Sequence, residues 1–288
     1  MSGIKLATQK AEAFLRKNNI SDYPIEPNSI ATDLLGISVH EQPSNVQGSS
    51  GMLMRHGNEF AISYATHIQS EGFRRFSIAH ELGHYLLAGH VEALFESSDV
   101  HESHAGFVSN SRYEREADDF AAGLLMPSFL FRKSIQQLDD GLGAIEALAN
   151  NYKASLTAAA IRYVELTDSC SVVVQSLGRT VEWAAMSDSF REIQGLDWIK
   201  KGASLSTEAP TYAFNNDSNN ILQSKSTEES VNLQSWFNGS FDIEITEEIK
   251  GMGSFGRTLT VLTLDETDLE GLLEDEELDD SYVPRFKR

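Results

Sequence analysis

The chain has 288 residues, with 23 Lys+Arg against 43 Asp+Glu and a formal net charge of −20. That balance excludes a generally basic nucleic-acid binder, and 41% hydrophobic residues with 15 Phe, 8 Tyr and 3 Trp exclude wholesale disorder. No apolar run reaches the roughly 18 residues of a membrane span, the start MSGIKLATQKAEAFLRK lacks a signal-peptide pattern, and the lone Cys170 cannot form an internal disulfide, so the sequence reads as soluble and cytoplasmic.

Taken in chain order, Lys5 to Lys17 reads as a helix, and Pro27-Asn28-Ser29 starts a short second one ending at Gly36. A strand is expected at Ile37 to His40. Two apolar runs, Gly51 to Arg55 and Glu59 to Tyr64, flank the turn His56-Gly57-Asn58 and predict a β-hairpin. Helices follow at Glu71 to Gly89 and at Ser111 to Met126, the second stopped by Pro127. Between them, Ser97 to Ser109 is rich in Ser and His and reads as a surface loop. Gly143 to Tyr152 and Ser155 to Thr167 form two helices around a turn, a spacing that a helix-turn-helix could use.

Near Asp168 the texture changes from Ala- and Leu-rich helical periods to short β-branched runs, and the charge shifts as well. Residues 1–167 hold 13 basic and 20 acidic residues, residues 168–288 hold 10 and 23. Strands are expected at Ser171 to Gln175, Thr180 to Ala185, Tyr212 to Asn215, Phe241 to Thr246 and Thr258 to Thr263, with a helix at Phe190 to Lys201. Asp265 to Asp280 packs ten carboxylates into sixteen residues and reads as a solvated charged stretch. The expected fold class is α+β, in three parts: a helix-and-strand domain over 1–127, a helical, helix-turn-helix-like region over 128–167, and an acidic α+β domain over 168–288.

The chemistry is concentrated in Phe76-Ser-Ile-Ala-His80-Glu81-Leu-Gly-His84. His-Glu-x-x-His on a helix puts two imidazoles one turn apart on one face, where both can reach one zinc ion. Glu81 then stands beside the metal's open position, placed to take a proton from water and pass it to a leaving amine. A catalytic zinc needs a third protein ligand. His90 has the spacing of a metzincin third His, but Leu87 occupies the position where that pattern needs Gly. Glu114 and Asp118 lie at i and i+4 on the second helix, so Glu114 is the first choice, with Asp118 accepting the N–H of a zinc-bound His. Glu116 lies about 160° around that helix from Asp118 and is the alternative ligand. Phe120, Leu124 and Leu125 fit a core at helical spacing.

Arg75 to His84, followed by Glu114-x-x-x-Asp118-x-Phe120-Ala-Ala-x-Leu124-Leu-Met-Pro127, resembles the ImmA/IrrE family of bacterial zinc metallopeptidases over roughly residues 5 to 167. The resemblance implies His80, His84 and Glu114 as zinc ligands and Glu81 as general base, in a gluzincin-like arrangement. The family commonly has Asn at the position of Asp118. It further implies an intracellular endopeptidase that cleaves a helix-turn-helix repressor on a signal such as DNA damage, derepressing stress, defence or mobile-element genes. Some members carry a C-terminal sensor domain resembling the GAF fold. Cys170 to Gln175, Gly178 to Trp183 and Pro284-Arg285-Phe286 look similar to it, which leaves room for a small-molecule or nucleic-acid effector there.

Three secondary expectations complete the reading. The hairpin from Gly51 to Ser63 would offer an edge strand to an extended peptide substrate. His101, His104 or Tyr113 could donate to a tetrahedral oxyanion. In the segment from Ser128, Arg132, Lys133, Lys153 and Arg162 are matched by Asp139, Asp140, Glu146 and Glu165, so direct DNA binding is not expected. The competing reading is a non-catalytic zinc-containing regulator acting by partner binding.

Overall fold

The computed structural model describes residues 6–43, 48–68, 70–104, 111–193, 195–237 and 242–265. They divide into two compact units, one made of the residues up to Gln137 together with Glu146–Ala159, the other of Leu138–Ile145 and the residues from Ala160 on. No helix among the described residues is long and apolar enough to cross a membrane.

In the first unit, α1 (Leu6–Lys17) precedes α2 (Pro27–Ser29), which runs into a π-helical turn at Ile30–Leu34. Strands β1 (Ser38–Glu41), β2 (Ser49–His56) and β3 (Glu59–Tyr64) follow, then α3 (Glu71–Leu86), α4 (His90–Leu94), β4 (Val100–His104), α5 (Arg112–Leu125) and α6 (Ser128–Ile135). The sheet order is β1-β3-β2-β4, with β1 parallel to β3 and the other pairs antiparallel. Helix α3 packs on β2 and β3 and against α5, which also packs on α1. Leu15, Leu53, Ile62, Leu82, Phe120, Leu124 and Phe131 make the dry core between these layers. Polar side chains are used beside it: the buried Glu12 of α1 accepts the Ser128 backbone N–H at 2.7 Å, supplying an acceptor for the N-terminus of α6.

Helix α3 starts where Ser70 Oγ accepts the Phe73 N–H. It ends at Leu86, short of the expected Gly89, because Leu87 turns extended and Gly89 takes a left-handed φ of 86° that starts α4 at His90. The expected loop at Ser97 to Ser109 is corrected: Val100–His104 is a strand paired antiparallel with β2, and residues 105–109 lie outside those described. A short Ser- and His-rich run carries little intrinsic strand signal, and the unpaired edge of β2 supplies what the local sequence does not. The hairpin therefore offers no free edge on β2, whose two sides are taken by β3 and β4. The strand ending the sheet on this side is β4.

Helices α7 (Leu142–Tyr152) and α8 (Leu156–Leu166) contribute residues to both units. The Lys153 turn between them has a φ of 50°. Arg162 of α8 is buried and paired with Glu165 at 3.2 Å.

The second unit holds β5 (Cys170–Leu177), β6 (Thr180–Met186), α9 (Asp188–Arg191), α10 (Pro210–Asn216), α11 (Ser218–Leu222), β7 (Ser226–Asn232), β8 (Glu244–Gly251) and β9 (Thr258–Leu264). The five strands form an antiparallel sheet in the order β6-β5-β9-β8-β7. Cys170, Val172 and Val174, alternating along β5, pack with Phe190, Phe237, Leu262 and Leu264, while Ile249 joins Phe214 and Ile221 in a second cluster.

Two expected elements differ here. Tyr212 to Asn215 is helical, since Pro210 at the first position of α10 pre-sets the helical φ and outweighs the aromatic strand signal. The helix expected at Phe190 to Lys201 is confined to α9, capped by Ser187 Oγ, and the chain leaves it before Gly195 and Asp197 interrupt the periodicity. Strand β8 starts at Glu244, and Phe241, like Glu266 to Asp280 and Pro284 to Phe286, lies outside the described residues. Strand β7, with only Val231 as a strong strand former, had no pattern to announce it.

Candidate metal centre

The α3 register places His80, Glu81 and His84 over the β2–β4 side of the sheet, and all three are buried. Helix α5 brings Glu114 against them. His80 Nε2 and His84 Nε2 lie 3.0 Å apart, and each is 3.3 Å from an oxygen of Glu114. Among the described residues these three form a group whose ligand atoms all fall within 4.8 Å of one another. Ligands bound at about 2.0–2.1 Å in a tetrahedron sit about 3.3 Å apart, so the three spacings fit one metal ion.

Asp118 Oδ1 is 2.9 Å from His80 Nδ1, which makes that nitrogen the donor and turns Nε2 toward the centre. His101, on β4, places Nε2 3.1 Å from Glu114 Oε1 and stacks edge-on to His84 with ring centroids 4.6 Å apart. Glu116 projects elsewhere, to His90 at 3.1 Å, and His90 meets His84 Nδ1 at 3.1 Å. Tyr113 packs edge-on against the His90 ring. Of the sequence candidates, then, the fold gathers His80, Glu81, His84, Glu114 and Asp118, adds His101, and keeps Glu116, His90 and Tyr113 outside the three-ligand group.

The electrostatics favour positive charge at this point. Burial alone would lower the His80 pKa, but hydrogen bonds to Asp118 and Glu114 and the Glu81 charge lift it to about 10. Burial holds His84 down at about 3, so it is neutral and can offer a lone pair. Burial would raise Glu114, yet the hydrogen bond from His101 and the His80 and His84 rings beside it hold it far below the usual carboxylate range.

Glu81 is different. Its side chain is 0% exposed, and among the described residues neither oxygen has a hydrogen-bond partner. Burial pushes its carboxyl upward, countered in part by the His80 charge and by the nearby Ser103 hydroxyl, which stays short of hydrogen-bond geometry to it. A carboxyl desolvated without partners costs several kcal/mol, and such a group persists where something else needs it. The residue facing it is Gly51 of β2: a Cβ there would stand 2.7 Å from Glu81 Oε1. A single Gly at the start of a strand pattern gave no sequence signal of this role.

These residues fit a bound divalent metal, which would take the place of the Nε2 proton of His80 beside the neutral His84, the Glu114 carboxylate and the unpaired carboxylate of Glu81.

Residues 32–163 match the family model for the IrrE N-terminal-like domain of the peptidase M78 family. That stretch contains every residue of the centre. No curated protein matches the chain. Among solved structures, a Mycobacterium tuberculosis transcriptional regulator superposes with a TM-score of 0.58 over 94% of this chain and 78% of its own, at 13% identity. That similarity is one of fold.

Proposed function

We propose that the first unit is a zinc endopeptidase, with His80, His84 and Glu114 holding the metal and Glu81 acting as general base. The observation that carries this reading is the Glu81 carboxylate, buried and without partners next to a three-ligand group of tetrahedral spacing. A structural site would have no use for that carboxylate and would usually close its fourth position with protein.

A zinc ion held by His80, His84 and Glu114 would supply polarisation of the scissile carbonyl and a more acidic attacking water. Glu81 accepts the proton of that water and returns it to the departing amine, and its raised pKa suits both halves of that exchange. Asp118 holds His80 in the tautomer that presents Nε2, and His101 donates to Glu114 and fixes that carboxylate. An extended peptide is held by main-chain hydrogen bonds along β4, the strand that ends the sheet beside the centre. The boundaries 1–127, 128–167 and 168–288 remain the working division of roles in this reading. The protein works in the cytoplasm on a helix-turn-helix repressor, and the second unit is a GAF-like sensor for a small-molecule or nucleic-acid effector. The family-model match supports the peptidase, and the antiparallel five-stranded sheet supports the sensor.

Glu81→Gln tests the reading. It should lower repressor cleavage by at least about 10²-fold while leaving zinc content at wild-type stoichiometry. New protein N-termini in stressed cells, compared between wild type and this variant, would identify the substrate. Cleavage by purified Glu81→Gln would refute Glu81 as the general base, whereas a variant that behaves like wild type in the cell without cleaving would leave the non-catalytic regulator as the better account.

A further inference from the structure

His90 and Glu116 have the spacing of ligands, and the fold places neither in the ligand group. They instead form a chain leading to it. His84 Nδ1 lies 3.1 Å from His90 Nδ1, His90 Nε2 lies 3.1 Å from Glu116 Oε2, and Glu116 Oε1 accepts from Arg112 Nε at 2.7 Å. His84 and His90 are buried, whereas Arg112 is exposed. The left-handed turn at Gly89 brings His90 back under α3, so that a residue six positions on faces the far nitrogen of His84.

Hydrogen-bond accounting gives the chain a direction. A carboxylate only accepts, so the His90 nitrogen facing Glu116 carries the proton. A neutral His90 then has a lone pair on Nδ1, and the His84 nitrogen opposite must donate. That donation places the His84 lone pair on Nε2, the atom 3.3 Å from Glu114 and 3.0 Å from His80 Nε2.

We propose that His90, oriented by Glu116, is a positioning residue that sets the tautomer and ring orientation of His84 as a metal ligand, the counterpart for His84 of what Asp118 does for His80. This rests on the zinc-site reading above. It assigns two ligands two different supports: a carboxylate directly behind His80, and an imidazole backed by a carboxylate behind His84. A neutral imidazole acceptor leaves the His84 side of the centre with less negative charge than a second direct carboxylate would.

The test uses the full-length chain and zinc competition against a chromogenic chelator, with circular dichroism as a check on folding. His90→Phe should weaken zinc binding about 10- to 100-fold, the usual cost of losing such a support. His90→Asn, whose amide oxygen can still accept from His84, should recover part of that loss. Glu116→Ala, on a partly exposed side chain, should give a smaller weakening and covers the case in which His90→Phe fails to fold. In metal-free protein, ¹⁵N spectra should show His84 protonated at Nδ1. Wild type that binds no stoichiometric zinc would overturn the site reading and this inference with it. Wild type that binds zinc, with His90→Phe folded and equal in affinity, would overturn this inference alone, as would His84 protonated at Nε2 or unchanged affinity in Glu116→Ala.

Discussion

Two buried glutamates, one in each unit, face opposite conditions. Glu81 and Glu247 both have 0% exposed side chains. Glu247, on β8, accepts the Thr211 backbone N–H at 2.8 Å, the Thr211 hydroxyl at 2.6 Å and the Trp236 indole N–H. Burial pushes its carboxyl up, and these donors pull against that rise. Among the described residues Glu81 accepts no hydrogen bond. A buried carboxylate with three donors ties a helix and a loop to a sheet. One with none is a cost to folding, which the proposed role of Glu81 as general base would account for. Burial alone therefore says little about function; the hydrogen-bond accounting around the buried group separates the two cases.

The sharpest way to break that contrast is to remove both carboxylates in turn. Glu247→Ala leaves the Thr211 backbone N–H and the Trp236 indole N–H without their acceptor and should destabilise the second unit by about 2–4 kcal/mol in urea unfolding. Glu81→Ala removes an unsatisfied group and should leave stability unchanged or raise it, while abolishing cleavage. Equal destabilisation by the two would erase the distinction drawn here.

A smaller intervention acts on Glu81 from across the sheet. Gly51→Ala puts a methyl 2.7 Å from the carboxylate oxygen, and either β2 or the α3 side chain must shift. Displacing a reacting group by about 1 Å costs on the order of 10²-fold in rate. The expected outcome is loss of cleavage with zinc stoichiometry intact; full activity would mean that Glu81 has room to spare.

The centre was legible in sequence as far as helical periodicity reaches. His80, Glu81 and His84 share one helix, and Glu114 and Asp118 sit one turn apart on another, so 3.6-residue geometry alone puts each set on a face. What periodicity could not supply was anything set by pairing between distant segments. His101 enters through β4, whose strand character comes from the free side of β2, and Gly51 faces Glu81 only because α3 crosses β2. His90 looked like a failed ligand because spacing counts residues along the chain, while the turn at Gly89 decides where the ring goes. In the second unit the strong β-branched runs of β5 and β9 were visible. Strand β7, held by pairing with β8, and α10, where Pro210 outweighs the aromatic pattern, were not.

The last prediction separates the two units without touching either carboxylate. Cys170 begins β5, is 3% exposed, and burial pushes its thiol up to about 12. At pH 8 only about one molecule in ten thousand would carry the reactive thiolate, and reagent access is closed as well. Native protein should therefore label with a disulfide reagent only through opening of the second unit. Labelling should be slow in wild type, equally slow in Glu81→Ala, and faster in Glu247→Ala in proportion to the stability lost. Because the probe belongs to the sheet of the second unit and not to the metal centre, an acceleration in Glu81→Ala would mean that the two buried glutamates support one cooperative structure rather than two separately stabilised ones.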